Sequence, residues 1–223
     1  VKITSIKEDR GMKLTYAITA CNELDELKIL IPFLKKHKRP QDEIVILFDQ
    51  KNGKEEVINY LITFNKYPNI QSWRGYFNND FSDWKNQLKD YCSGDYIFQI
   101  DADELPTEFM VNTLPLLIED NPETEVYLVP RVNTVVGLTD EHIKKWGWRV
   151  DENNRINWPD YQWRVWKNIP EIKWINKVHE RLDGFKTFAP LPLDSGFEEC
   201  YLEHPKTISR QEKQNDFYTK LSN

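Results

Sequence analysis

The sequence predicts an α/β fold, a mostly parallel sheet flanked by helices, with a small antiparallel C-terminal part. Three observations lead there. Glu43 to Phe48 is a near-continuous apolar run, as in a parallel strand covered on both faces. Strand-like and helix-like patterns alternate through the first half of the chain, which implies right-handed crossovers. Tyr96 to Ile100 is a short apolar run set off by Gly94, and it leads straight into three carboxylates, Asp101, Asp103 and Glu104. A buried strand does not bring like charges to its tip for stability. Open α/β sheets bind ligands at that edge.

The elements follow in order. Lys13 to Ala20 reads as a strand ending in Asn22-Glu23. Leu24 to His37 carries Leu27, Leu30, Ile31 and Leu34 at helical spacing, with Pro32 as a kink or first-turn residue. The strand Glu43 to Phe48 ends in Asp49. Lys54 to Asn65 is helical, Asn69 to Trp73 a short strand, and Phe81 to Tyr91 helical up to the stop at Gly94. Pro106 suits the first turn of a helix that Pro115 splits. Glu125 to Pro130 is another strand. From Asn133 to Asn157 the chain turns polar and irregular, a loop of the length that serves as a lid over a site. Tyr161 to Trp166 and Lys173 to Leu182 read as antiparallel strands and Glu198 to Glu203 as a further strand. Ser209 to Leu221 is a polar helix with Phe217, Tyr218 and Leu221 as its contacts. Residues 1–11 read as a lead segment or an expression-derived addition.

Composition narrows the function. The chain has 223 residues and a net charge of −6, so no basic field suggests nucleic acid. No run approaches the roughly 18 apolar residues of a transmembrane segment, and the polar opening carries no signal-peptide pattern. Cys21, Cys92 and Cys200 are odd in number and far apart, which suits reduced thiols in a cytoplasmic protein. Six of the eight tryptophans lie between Trp146 and Trp174. They read mostly as an auxiliary core, with Trp146, Trp148 and Trp158 nearer the surface, where aromatic faces can stack on sugar rings.

The carboxylates carry the chemistry. Alternation along an extended chain puts Asp101 and Asp103 on one side, where they repel unless a cation or proton sits between them. Magnesium and manganese commonly combine one or two carboxylates with substrate phosphates. The pattern therefore points to a metal site that grips a diphosphate. Taken alone, Asp-x-Asp is more often a turn or solvated strand end, and Glu23 and Asp49 read equally well as caps or solvated turns. Asn22-Glu23, Asp49 and Asp101 with Asp103 nevertheless converge on one sheet edge.

These residues, in order, resemble family 2 glycosyltransferases of the GT-A fold. The match runs through Thr19 to Glu23, Asp49, Trp84-Lys85-Asn86, Gly94 to Glu104, Arg164 to Asn168, Ile172-Lys173-Trp174, Val178-His179-Glu180 and His204-Pro205-Lys206. The Val-His-Glu element is similar to a bacterial branch acting on lipopolysaccharide core or on proteins. The resemblance implies one continuous domain, with residues 12–131 as the nucleotide-sugar-binding half and 132–223 as the acceptor-side region. It implies inverting, metal-dependent transfer from a nucleotide-sugar, UDP-linked in most relatives, to a glycan, lipid-linked or protein acceptor. Polysaccharide or glycoconjugate biosynthesis in the cytoplasm, or at the inner face of a membrane, would follow. Asn22 and Glu23 would border the base and ribose, Asp49 would bond the base, and Lys85 would approach the nucleotide. Asp101 would approach the ribose or a metal-bound water and, with Ala102, border the donor. Asp103 would ligate Mn2+ or Mg2+, with His204 or His179 completing the set. Glu180, expected on a strand beside the site, is the first candidate for the base that takes the acceptor's proton; Asp160 is the second. The rivals are a nucleotidyltransferase, which would want a glycine-rich loop where Cys21-Asn22-Glu23 stands, and a non-catalytic nucleotide-sugar or carbohydrate-binding protein.

Overall fold

The structure, a computed structural model, describes residues 11–222, without the side chains at 218 and 220–222. The lead segment up to residue 10 and the contacts expected of Tyr218 and Leu221 lie outside the described residues. The elements are β1 (Leu14–Ala20), α1 (Leu24–His37), β2 (Glu43–Asp49), α2 (Glu55–Ile62), β3 (Ile70–Gly75), α3 (Phe81–Lys89), β4 (Tyr96–Asp101), β5 (Leu105–Pro106), α4 (Glu108–Asp120), β6 (Val126–Val136), α5 (Asp140–Trp146), β7 (Ile156–Lys167), β8 (Lys173–Ile175), β9 (Arg181–Asp183), β10 (Phe188–Pro190), β11 (Leu202–Thr207) and α6 (Ile208–Ser222).

One nine-stranded sheet runs β3-β2-β1-β4-β7-β6-β11-β5, with β10 also on β6. Its first four strands are parallel. β7 runs antiparallel to both β4 and β6, so the sheet changes character at β4. Successive residues serve opposite faces. Tyr16, Ile18, Ile44, Ile46, Phe98 and Ile100 join one core with the apolar stripes of α1, α2 and α4. Ala17, Val45, Leu47 and Ile97 join a second with Trp84 and Leu88 of α3 and Trp174 and Leu182 of the β8–β9 hairpin. Full burial of one such Leu or Ile is worth about 1.5–3 kcal/mol, which is why both-face burial leaves so plain a mark on these strands. At Gly94 a Cβ would come within 2.7 Å of the Thr15 backbone, so only glycine lets the turn into β4 approach β1.

Several expectations are corrected. Pro106 does not open a helix: it lies in β5, paired with Leu202 of β11, and Thr107 caps α4 by accepting from the Met110 N–H at 3.0 Å. Pro115 does not split α4, and Pro32 lies past the first turn of α1; both sit inside continuous helices. The stretch from Asn133 to Asn157 is not an irregular loop. β6 continues to Val136 because its backbone pairs with β11, and α5 follows with a capping box at Thr139. The strand expected over Lys173 to Leu182 is two three-residue strands, so Glu180 sits on the loop before β9. The strand expected over Glu198 to Glu203 begins at Leu202 instead. Trp166 and Trp174 are buried, whereas Trp146, Trp148 and Trp158 are half-buried. Among the described residues no helix is long and apolar enough to cross a membrane.

Candidate active site

The C-terminal ends of β1, β2 and β4 open on a cleft of about 760 Å³. Asn22, Glu23, Asp49, Lys85, Asp101, Ala102, Asp103 and Glu180 all line it. A second cleft, of about 440 Å³, lies over β6 and β7 and is lined by Asp160, His179 and His204 together with Trp148, Trp163 and Trp174. The two share Lys85, Asp101, Asp103, Glu180 and Gln214. Every candidate residue from the sequence therefore lines one cleft or both.

The carboxylates at the tip of β4 sit on a turn rather than on an extended chain. The chain turns there, with the Glu104 N–H donating to the Asp101 carbonyl at 2.9 Å. Alternation ends with the strand, and all three carboxylates meet cationic partners, one of them shared. Arg164 donates to Asp101 Oδ2 at 2.7 Å and to Glu104 Oε1 at 2.6 Å. Arg131 adds a bond to Glu104 at 3.0 Å and another to Asp160 at 2.8 Å. Burial raises the pKa of Asp101, but Arg164 and then Lys85 outweigh it and bring it down to about 2. Asp103 has other partners, His204 Nε2 at 3.3 Å and Arg210 at 3.5 Å. These partners overcome burial and hold its carboxyl well below the usual range.

The remaining candidates are held locally. Glu23 Oε2 accepts from the N–H groups of Cys21 and Asn22, both at 2.8 Å, and so shapes the turn after β1. Buried Asp49 accepts from the Lys51 N–H at 3.0 Å and the Asn52 side chain at 2.7 Å. The turn reading and the cleft-lining reading hold together for both. Lys85, on α3, is buried; its ammonium donates to Glu180 Oε1 at 2.5 Å and lies 4.5 Å from the Trp174 ring centre. His179, next to Glu180, has a left-handed φ of 55°, which costs a non-glycine residue energy and is typical of functional loops. Asp160 has both oxygens engaged, by Arg131, Asn133 and Gln162. Burial raises its pKa, but Arg131 and these hydrogen bonds bring it below the usual range.

Sequence reasoning missed Glu104, Arg131, Arg164 and the cleft-lining side chains of α6. Glu104 stood in plain view as the third carboxylate. Its role appears only with its two arginines, which fold in from β6 and β7.

Among the described residues no three Asp, Glu, His or Cys side chains form a ready cation cage. The donor set does fit a cation shared with a substrate. Two neighbouring ligands of an octahedral ion, each about 2.1 Å from it, lie about 3 Å apart. Asp103 Oδ2 and His204 Nε2, 3.3 Å apart, can take such a pair of positions. Water and phosphate oxygens supply the rest in most magnesium sites. Asp101, held by Arg164, is less free to join.

The glycosyl transferase family 2 model matches residues 15–186, well over half of the chain. Among curated proteins none matches it in sequence. The crystal structure of S. aureus TarS 1-349 in complex with UDP superposes with a TM-score of 0.54 at 13% identity, over 82% of this chain and 61% of that one. A second crystal structure of S. aureus TarS 1-349 gives 0.51 at 13% identity, over 70% and 47%. The chain thus spans roughly half to three-fifths of the TarS fragment. The likeness agrees with the GT-A-type fold expected from the sequence, and the family match extends from β1 past Glu180. The chain belongs to glycosyl transferase family 2.

Proposed function

We propose that the chain transfers a sugar from a nucleoside-diphosphate donor to an acceptor hydroxyl, with inversion at the sugar carbon and with help from Mn2+ or Mg2+. One observation carries this reading: two clefts meet at Lys85, Asp101, Asp103 and Glu180. The donor takes the larger cleft, its nucleoside toward Asn22, Glu23 and Asp49 and its diphosphate beside Asp103. The acceptor enters by the smaller one, where Trp148 and Trp163 offer flat faces to sugar rings. Both substrates then reach one carboxylate, as direct displacement requires.

Glu180 is the base in this reading. It takes the acceptor's proton as the acceptor oxygen bonds to the sugar carbon. The diphosphate leaves with the electron pair of the broken carbon–oxygen bond. Lys85, already on Glu180, lies between the base and Asp101 and holds the carboxylate in position. Asp160 is the weaker choice, since an oxygen that already accepts from Arg131, Asn133 or Gln162 is poorly placed to take a proton. Asp103 and His204 would hold a divalent cation, which would neutralise the charge that builds on the diphosphate.

The test is a panel of nucleotide-sugars with Mn2+, read by nucleotide release and thermal shift. UDP-sugars come first, because TarS was solved with UDP. Release from one of them, abolished in Asp103→Ala, is expected. Stabilisation by a nucleotide-sugar without any release, with candidate acceptors present, would favour a binding protein. No stabilisation by any member would refute the donor site.

A further inference from the structure

α6 lies beyond the family match, yet Arg210, Lys213, Gln214 and Phe217 all line the larger cleft. Their spacing puts them on one face of the helix. We propose that this face is the wall of the donor cleft that grips the nucleotide, with Arg210 and Lys213 on the diphosphate and Phe217 against the nucleoside. The proposal rests on the donor reading given above.

The two ends of the face differ in chemistry. At one end the Arg210 guanidinium is 3.5 Å from Asp103, the carboxylate beside which the diphosphate is read, and also pairs with Glu26 of α1. A planar guanidinium matches phosphate oxygens in pairs, and Arg210 is about a third exposed, so a ligand can reach it. At the other end Phe217 meets Phe81 edge-on at 6.4 Å. Phe81 lies 4.8 Å from Phe77, whose N–H donates to Asp49 at 3.3 Å. That chain of contacts ends at the residue read as facing the base. From Arg210 to Phe217 the helix rises about 10 Å, comparable with the span from diphosphate to base. A helix that only packs on a core turns its apolar stripe inward. Here the inward face is cationic, and its phenylalanine is 41% exposed at a cleft.

The experiment compares UDP with uridine, and GDP with guanosine in parallel, on the full chain with Mn2+. Calorimetry reads the diphosphates and ligand-observed NMR the nucleosides. Arg210→Gln is expected to weaken UDP about tenfold or more and to leave uridine within about twofold. Lys213→Gln shifts UDP in the same direction. Phe217→Ala weakens UDP and uridine by a similar factor, about three- to tenfold. Glu26→Gln removes the α1 partner of Arg210 while keeping the cation, and leaves UDP binding undiminished; melting curves of the free variants check that each folds. Unchanged UDP binding in Arg210→Gln, equal losses of UDP and uridine there, or a matching loss in Glu26→Gln would overturn the role of α6 alone. If the wild-type chain binds none of the four ligands, the donor reading itself falls and takes this proposal with it.

Discussion

Replacing Arg164 with methionine tests whether the buried charge network holds up the floor of the site. Arg164 is 4% exposed and bonds Asp101 and Glu104, and the Glu104 side chain is fully buried. Removing one partner of a buried ion pair costs about 3–5 kcal/mol, mostly because the other charge is stranded. Two features put this case at the low end. Arg131 stays on Glu104 at 3.0 Å, and Asp101 is 31% exposed, so water can reach it. The expected loss is therefore about 3 kcal/mol, or a fall in melting temperature of about 6–12 °C for a chain of this size. Urea unfolding followed by tryptophan fluorescence measures it, since Trp166 and Trp174 are buried beside the network. Glu104→Gln should cost at least about 1 kcal/mol less in the Arg164→Met background than in the wild-type chain, because the two residues share one ion-pair network. A single variant within about 0.5 kcal/mol of wild type would show the network to be neutral and refute the reasoning.

Three further outcomes are expected. Glu180→Gln keeps donor affinity but slows transfer by about 100-fold or more; weakened nucleotide binding with near-normal turnover would remove Glu180 from the base role. Asp101 has its carboxyl lowered from 3.8 to about 2, so its pairing contributes stability in full above pH 3.8 and loses it as pH falls toward about 2. The urea midpoint should drop across that window, and Asp101→Asn should flatten the drop. Cys21, which lines the larger cleft, has its thiol pushed up to about 12 by burial and by Glu23 and Asp49. Iodoacetamide should label it at least about tenfold more slowly than a free thiol at pH 8, as intact-mass time courses can follow.

The parts of the fold that were legible are those where burial writes the pattern. β2 shows a continuous apolar run because helices or the hairpin cover both of its faces. The far half of β6 was unreadable for the opposite reason. Its backbone pairs as a strand, but Arg131 and Asn133 serve the smaller cleft and are polar. The pairing of Pro106 is decided by β11, nearly a hundred residues later. The site divides in the same way. Asp49, Asp103 and Glu180 could be named from motifs, but the different partners of Asp101 and Asp103 follow a turn that alternation does not foresee. Arg210, Lys213, Gln214 and Phe217 carry a helical period. Mostly polar residues at that period read as a solvent face until the cleft beside them is known.

The change of strand direction at β4 has a mechanical consequence. Both clefts lie over a single hydrogen-bonded platform, with β1 and β2 under one and β6 and β7 under the other. No seam separates the halves, so neither can swing against the other without tearing a ladder of backbone bonds. Adjustment to different acceptors falls to the pieces perched on that platform, above all the short hairpin loop that carries His179 and Glu180. Grafting that loop between relatives should redirect acceptor choice while leaving the nucleotide's seat undisturbed.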